Sequence, residues 1–344
     1  MITKLVSPLV SPLVTAIDVP RIKRGGSAPF ISGNSFPGEI LTSTKSGDWY
    51  VDGEMKSTGT SYVVSVNDIG LPIHQVAGGQ VSNVVPCWSP SDEAGVFDFW
   101  AAHRGVLHAV GPDTPAIDGQ TIREWRSVKN GYAFAQATAA QQPLFVDAGA
   151  DGNPVVRFDG SNDVLQATES AVRGVFRNKL EGGCIVGAVD SNPAGLAATH
   201  YLINISTTAQ NAVRAAIMSR YFNTAQISVG SRTLDSDGIT NLLSPSAAGY
   251  RCFHGLHRWQ AGQLHFRLDG MVMESTPITA GATSDTHSNT VTMGSNHATS
   301  ALPGDIGTLI LYNAALTANA QARLERFTML YGGVLNPPAY TPAP

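Results

Sequence analysis

Three carboxylate or carboxamide side chains, Asp159, Asn162 and Asp163, stand close together in the run Asp159-Gly160-Ser161-Asn162-Asp163. Carboxylate and carboxamide oxygens are the hard donors that calcium takes, about six to eight at a time. The same run is an ordinary turn, and it lacks the spacing of an EF-hand loop. A second group, Cys252, His254, His257 and His265, carries the sulfur and nitrogen donors that zinc prefers. In a strand, residues two apart share a face, so Cys252 and His254 converge while His257 points away. The spacing matches no structural zinc site, and these residues read as strand histidines. Glycoside hydrolysis needs two carboxyl groups facing one cleft, about 5–5.5 Å apart for retention and wider for inversion. Glu124, Glu169, Glu181, Glu274 and Glu325 are scattered and read as turn and surface acids, as does Asp269 before its glycine. Trp259, Tyr221, Phe222, Asn223 and Asn296 are candidates for a sugar platform, but an aromatic ring in a β protein is more often core. There is no G-x-S-x-G, P-loop or dinucleotide fingerprint. No catalytic residue is expected, no cofactor is assigned, and Asp159, Asn162 and Asp163 remain the one calcium candidate.

The elements that must position these residues are strands. The chain has 344 residues, 43% hydrophobic, with 35 Gly and 20 Pro. That mixture suits short strands and many turns. Charged residues make up only 14%, against about 25% in ordinary soluble domains. A formal net charge of −4 gives no general attraction to nucleic acid or anionic lipid. The three cysteines, Cys87, Cys184 and Cys252, are too few and too scattered for a disulfide framework. No apolar run reaches the roughly 18 residues of a membrane helix, and Pro8 and Pro12 interrupt the stretch after Lys4. Membrane insertion and a signal peptide are not expected, and the chain is expected to fold in the cytosol.

Residues 1–28 read as an extended arm. Ser-Pro-Leu-Val occurs twice, at Ser7–Val10 and Ser11–Val14. The prolines stop a helix and leave Leu9, Val10, Leu13 and Val14 apolar without a core of their own. The arm is either a disordered leader or a docking peptide for a partner's sheet edge or groove. Arg21, Lys23 and Arg24 precede a flexible Gly25-Gly26 joint.

Residues 29–90 read as a small β domain, with Gly38–Thr42, Asp48–Gly53 and Thr58–Val66 as strands and Trp49 as core plug. The order W-x-x-DG, then TGTSYVVSVNDIG, resembles a bacterial and phage immunoglobulin-like domain. Two prolines and two serines over Pro86–Ser91 mark a boundary. The next domain, residues 91–333, starts with the alternating stretch Gly95–Trp100, followed by mostly loop over 101–150. Trp125, the Asn130-Gly131 turn and Gly152-Asn153-Pro154-Val155-Val156-Arg157-Phe158-Asp159-Gly160 lead into Asp163 and Leu165. Strands are then expected at Gly183–Val189, Tyr201–Ser206, Ala212–Ser219, Gln226–Val229, Tyr250–Arg258, Gln263–Leu268, Met271–Ser275 and Thr290–Met293. Gly304–Asn313 and Ala315-Leu316-Thr317 follow. Leu316–Tyr331 reads as a helix capped by Thr317, with Ala320, Leu324, Phe327 and Tyr331 on one face and Gly332-Gly333 as its stop. Residues 334–344 are a Pro-rich tail. The stretches around Gly152–Leu165 and Gly304–Thr317 resemble the opening and closing patterns of a concanavalin-A-like (laminin-G-like) jelly roll.

Together these resemblances imply an all-β fold: an immunoglobulin-like β-sandwich, then a concanavalin-A-like jelly-roll sandwich with one C-terminal helix. The jelly-roll family includes lectins, adhesion modules and glucanases, and some members hold calcium between loops. The glucanase motif E-x-D-x-E is absent here, so a glycan hydrolase is the least supported member class. An apolar arm, an immunoglobulin-like spacer and a jelly roll resemble tailed-phage virion proteins. That implies a non-enzymatic structural protein of the virion, in capsid decoration, fibre, collar or baseplate, assembled in the host cytoplasm. Its partners would be other virion proteins, copies of itself in a homo-oligomer, and cell-surface glycan contacted weakly by the jelly roll. The alternative is a dedicated host-glycan receptor-binding protein.

Overall fold

A computed structural model describes residues 27–109, 113–190, 200–206, 214–222, 226–245, 249–295 and 301–333. The chain is all-β, and it forms two compact units. One runs to Val64 and resumes over Gly70–Cys87; the other holds Ser65–Ile69 and everything from Trp88 onward.

In the first unit, β1 (Ile31–Ser32), β2 (Ile40–Val51), β3 (Glu54–Val63), β4 (Pro72–Ala77), β5 (Gln80–Val81) and β6 (Val85–Pro86) form one antiparallel sheet. Asp52-Gly53 joins β2 to β3 with both residues at positive φ (48° and 82°), the backbone a tight hairpin requires. Trp49 is wholly buried, stacks on Tyr62 at 5.7 Å, and donates its indole N–H to the Gly59 carbonyl. Gln75, also buried, donates to the same carbonyl and accepts from Ser43. The Gln75 amide is thus paired inside an apolar core, as a buried amide must be.

The strands of the second unit, in chain order, begin with β7 (Val96–Ala101), β8 (Val106–His108), β9 (Ile122–Arg126), β10 (Ala133–Ala135), β11 (Leu144–Ala150), β12 (Asn153–Asp159) and β13 (Leu165–Ala167). After the single helical turn α1 (Ser170–Arg173) come β14 (Gly182–Asp190), β15 (His200–Ser206), β16 (Arg214–Phe222), β17 (Gln226–Ser231) and β18 (Thr240–Pro245). The last are β19 (Gly249–Arg258), β20 (Gln263–Leu268), β21 (Met271–Pro277), β22 (Thr290–Met293) and β23 (Pro303–Tyr312), followed by helix α2 (Ala318–Tyr331). One sheet runs β18-β17-β16-β15-β22-β13-β10-β9-β8. The other runs β11-β12-β23-β14-β19-β20-β21, with β7 also paired to β23. All the pairings are antiparallel.

Alternation along these strands buries one face of each sheet in a common core. Val156, Phe158, Val186, Phe253, Leu264, Phe266 and Leu309 line it from one sheet, and Trp125, Phe134, Ile203, Ile205, Val229 and Met293 from the other. Residues 101–150 are mostly loop, as expected, but they also hold the short strands β8 through β11. Those strands are three to seven residues long, too short for a period of two to stand out in sequence. Asp98 holds this region in place. Its buried carboxylate accepts from the backbone N–H groups of Phe99 and Lys129, the Ser127 hydroxyl and the Asn130 amide. Burial raises its pKa, and the four hydrogen bonds pull back against that shift.

Helix α2 starts where expected. Thr317 caps it by accepting from Ala320 N–H, and Ala320, Leu324, Phe327 and Tyr331 are buried. It packs on the outer face of β14, β19 and β23. Glycines on that face make room for rings: a Cβ at Gly187 would collide with the Tyr250 hydroxyl, and one at Gly307 would meet the ring of Tyr331.

Candidate functional site

Two groups of polar side chains could carry chemistry. The first lies beneath α2. His254 projects from β19 and Tyr312 from β23. The imidazole lies 2.5 Å through Nδ1 from Glu325 Oε1 and 2.7 Å through Nε2 from the Tyr312 hydroxyl. Arg267, on β20, grips both oxygens of the same carboxylate at 2.6 and 3.0 Å. Burial would raise the pKa of Glu325, but His254 and Arg267 outweigh it and hold the carboxyl at about 2. The sequence reading of Glu325 as a surface acid is therefore corrected. It is 2% exposed, and its partners stand 58 and 71 residues away, beyond the reach of local pattern. An acid, an imidazole and a hydroxyl in a row resemble a proton relay, yet His254 and Tyr312 are fully covered by protein. The arrangement fastens the helix to the sheet and offers no access to an external substrate. Cys252 and His254 do lie on one face. His257 lies on the other, in contact with Trp259 and Phe176. Trp259 is core, its N–H donated to Ser231.

The second group borders the surface, with Asp159 exposed and Asp163 buried. Beyond the end of β12, Asp159 Oδ1 accepts from the N–H groups of Ser161 and Asn162, and Asp163 Oδ2 accepts from Asp159 N–H. The three sequence candidates Asp159, Asn162 and Asp163 are thus brought into one turn. One oxygen of each carboxylate is already committed to the backbone, which leaves few of the roughly six to eight oxygens that calcium takes. Among the described residues, no group of three or more His, Cys, Asp or Glu side chains is placed to hold a metal. No chemistry is routed through a metal at this turn. Burial of Asp163, with the Asp159 carboxylate beside it, pushes its pKa up to about 6 against the pull of its one backbone hydrogen bond.

A cleft of about 590 Å3 opens at this turn, lined by Leu144, Arg157, Asp159, Asp163, Pro303 and Asp305. Arg157 and Asp305 are directly paired across β12 and β23. The guanidinium meets the carboxylate as a two-toothed fork, at 2.8 and 2.7 Å. Asp305 is nearly covered, whereas 48% of the Arg157 side chain stays exposed. A rigid strand pair therefore presents a fixed planar donor to solvent. Acidic acceptors flank it, and Leu144 and Pro303 form an apolar ledge. Such a set can hydrogen-bond vicinal hydroxyls without covalent chemistry. Arg157 and Asp305 were not singled out from sequence; the Arg in the strand before the Asp-Gly turn was visible, its partner 148 residues away was not.

The remaining sequence candidates lie elsewhere. Leu9, Val10, Leu13 and Val14 of the arm, Asn223, Asn296 and the 334–344 tail fall outside the described residues, and Tyr221 and Phe222 are described only as strand backbone.

No family model matches the chain, and no curated protein matches it. Among solved structures, it is similar to a Ruminococcus gnavus IT-sialidase CBM40 bound to α2,3-sialyllactose, at 15% identity over 51% of this chain and 96% of that one, with a TM-score of 0.40. It is also similar to a Trypanosoma rangeli sialidase, at 12% identity over 89% of this chain and 54% of that one, TM-score 0.47. A third is a botulinum neurotoxin type G receptor binding domain, at 12% identity over 58% and 49%, TM-score 0.38. At this level a likeness assigns this chain neither ligand nor activity. What fold and site define together is a class: an all-β protein whose sandwich carries an open, hydroxyl-compatible cleft at the end of β12.

Proposed function

We propose that the protein is a non-enzymatic structural component of a tailed-phage virion, in capsid decoration, fibre, collar or baseplate. Its sandwich touches cell-surface carbohydrate through the Arg157–Asp305 cleft. One observation supports the carbohydrate contact: a half-exposed guanidinium fixed by a covered carboxylate at the mouth of a cleft with acceptors and an apolar ledge. The non-enzymatic reading draws on the same cleft, whose carboxylates already serve Arg157 or the backbone rather than facing each other as a free pair. The virion setting, the anchoring arm and oligomerisation draw on the sequence resemblances alone. Weak contacts of this kind become useful when many copies are displayed together. If glycan binding is instead tight and saturable in the isolated chain, the protein is a dedicated receptor-binding adhesin.

Calorimetric titration of the full chain with host envelope polysaccharide fragments tests the contact. Arg157→Lys keeps the charge facing Asp305 but loses the fork. We expect at least tenfold weaker glycan binding with little change in Tm. Unchanged binding would remove the cleft from the account.

A further inference from the structure

Strand β23 joins the cleft at its Pro303 end to a second groove at its other end, of about 380 Å3. Asn178, Lys179, Leu180, Glu181, Gln260 and Asn313 line it. Its backbone is pinned. Lys179 N–H donates to Thr283 Oγ1, Gln260 N–H to the Leu180 carbonyl, and Asn313 N–H to the Gly95 carbonyl. Its side chains are not. None of the polar groups of Asn178, Lys179, Glu181, Gln260 and Asn313 makes a side-chain hydrogen bond or ion pair among the described residues, in contrast to the spent carboxylates of the cleft. Three carboxamides supply donors and acceptors together, the pairing that sugar hydroxyls satisfy. Leu180, 46% exposed, gives an apolar ledge for a ring face.

We propose that this groove is a second carbohydrate subsite, for a neutral sugar unit. Lys179 and Glu181 give the groove one charge of each sign and so no net attraction for a charged ring, while both can bond to hydroxyls. The ten residues of β23 span roughly 30 Å, so a repeating polysaccharide can engage both ends of the strand at once, whereas a single-repeat fragment fills one end at a time. Polymer affinity then exceeds fragment affinity through effective concentration. This inference rests on the carbohydrate reading above and adds a site and a ligand charge to it.

Titrate the full chain with single-repeat neutral fragments of envelope polysaccharide and with the intact polymer. Compare Arg157→Lys with the surface double variant Gln260→Ala/Asn313→Ala, checking by Tm that both remain folded. The unmodified chain should take two fragments and the double variant one, with polymer affinity at least tenfold lower in the double variant. A double variant that binds fragment and polymer like the unmodified chain overturns the second subsite and leaves the cleft reading standing. Loss of one fragment in the double variant, with no effect of Arg157→Lys, upholds the second subsite and removes the cleft. No fragment binding by the unmodified chain overturns both.

Discussion

Asp163 shows how a single carboxyl can be costly where it sits. Its folded pKa, about 6, stands above the ordinary 3.8. A raised acid favours folding below pH 3.8, and this contribution is lost as pH rises through 6, because the folded state must then hold a buried anion. Asp163→Asn keeps an oxygen for the Asp159 N–H and removes the charge. We expect a stabilisation on the order of 1 kcal/mol at pH 7.5 that vanishes near pH 4, read from urea unfolding at both pH values. A variant that is less stable at pH 7.5 would mean the anion is satisfied by more than that one bond. At this scale the sequence was legible where partners are near in the chain. Asp159, Asn162 and Asp163 meet because a turn of five residues must fold on itself. Arg157 meets Asp305, and Glu325 meets His254, only after the sheets form.

At the scale of elements, α2 is a clamp more than a lid. Thr317, the apolar face and Gly332 made the helix readable from sequence, since capping and a 3.6-residue period are local signals. The carboxylate inside that face was not, because a Glu among apolar positions looks like a surface residue until Arg267 and His254 arrive. Replacing Glu325 with Gln leaves Arg267 partly buried without its counter-ion. We expect a loss of about 3–5 kcal/mol in chemical denaturation. The pH dependence has the opposite sign to that of Asp163. Glu325 is held near 2 against a reference of 4.5, so its contribution is present above 4.5 and is lost as pH falls toward 2. Acid unfolding of the unmodified chain should therefore be steeper over that window than that of Glu325→Gln. The strands β8 to β10 escaped the sequence for a different reason. Three to five residues cannot show a period, and their pairing is dictated by neighbours such as β13.

At the scale of the molecule, the two units are not simple halves of the chain. Ser65–Ile69 belongs with the second unit although it lies between strands of the first. There Ser65 and Asp68 close a capping box, Asp68 is buried, and the Asn67 carbonyl accepts from Arg104. No composition shift marks this excursion, so a boundary drawn from prolines and serines could not find it. A fragment starting at Trp88 lacks these contacts. Its thermal transition should lie several degrees below that of the same unit in the full chain, by differential scanning calorimetry. The claim on which the functional account turns is that the β12–β23 end of the sandwich meets glycan. Hydrogen exchange of the full chain, with and without saturating envelope polysaccharide, tests it most directly. We predict slowed exchange over residues 157–163 and 303–305 in the presence of polysaccharide. Unchanged exchange in both segments, with polysaccharide demonstrably bound, would contradict it.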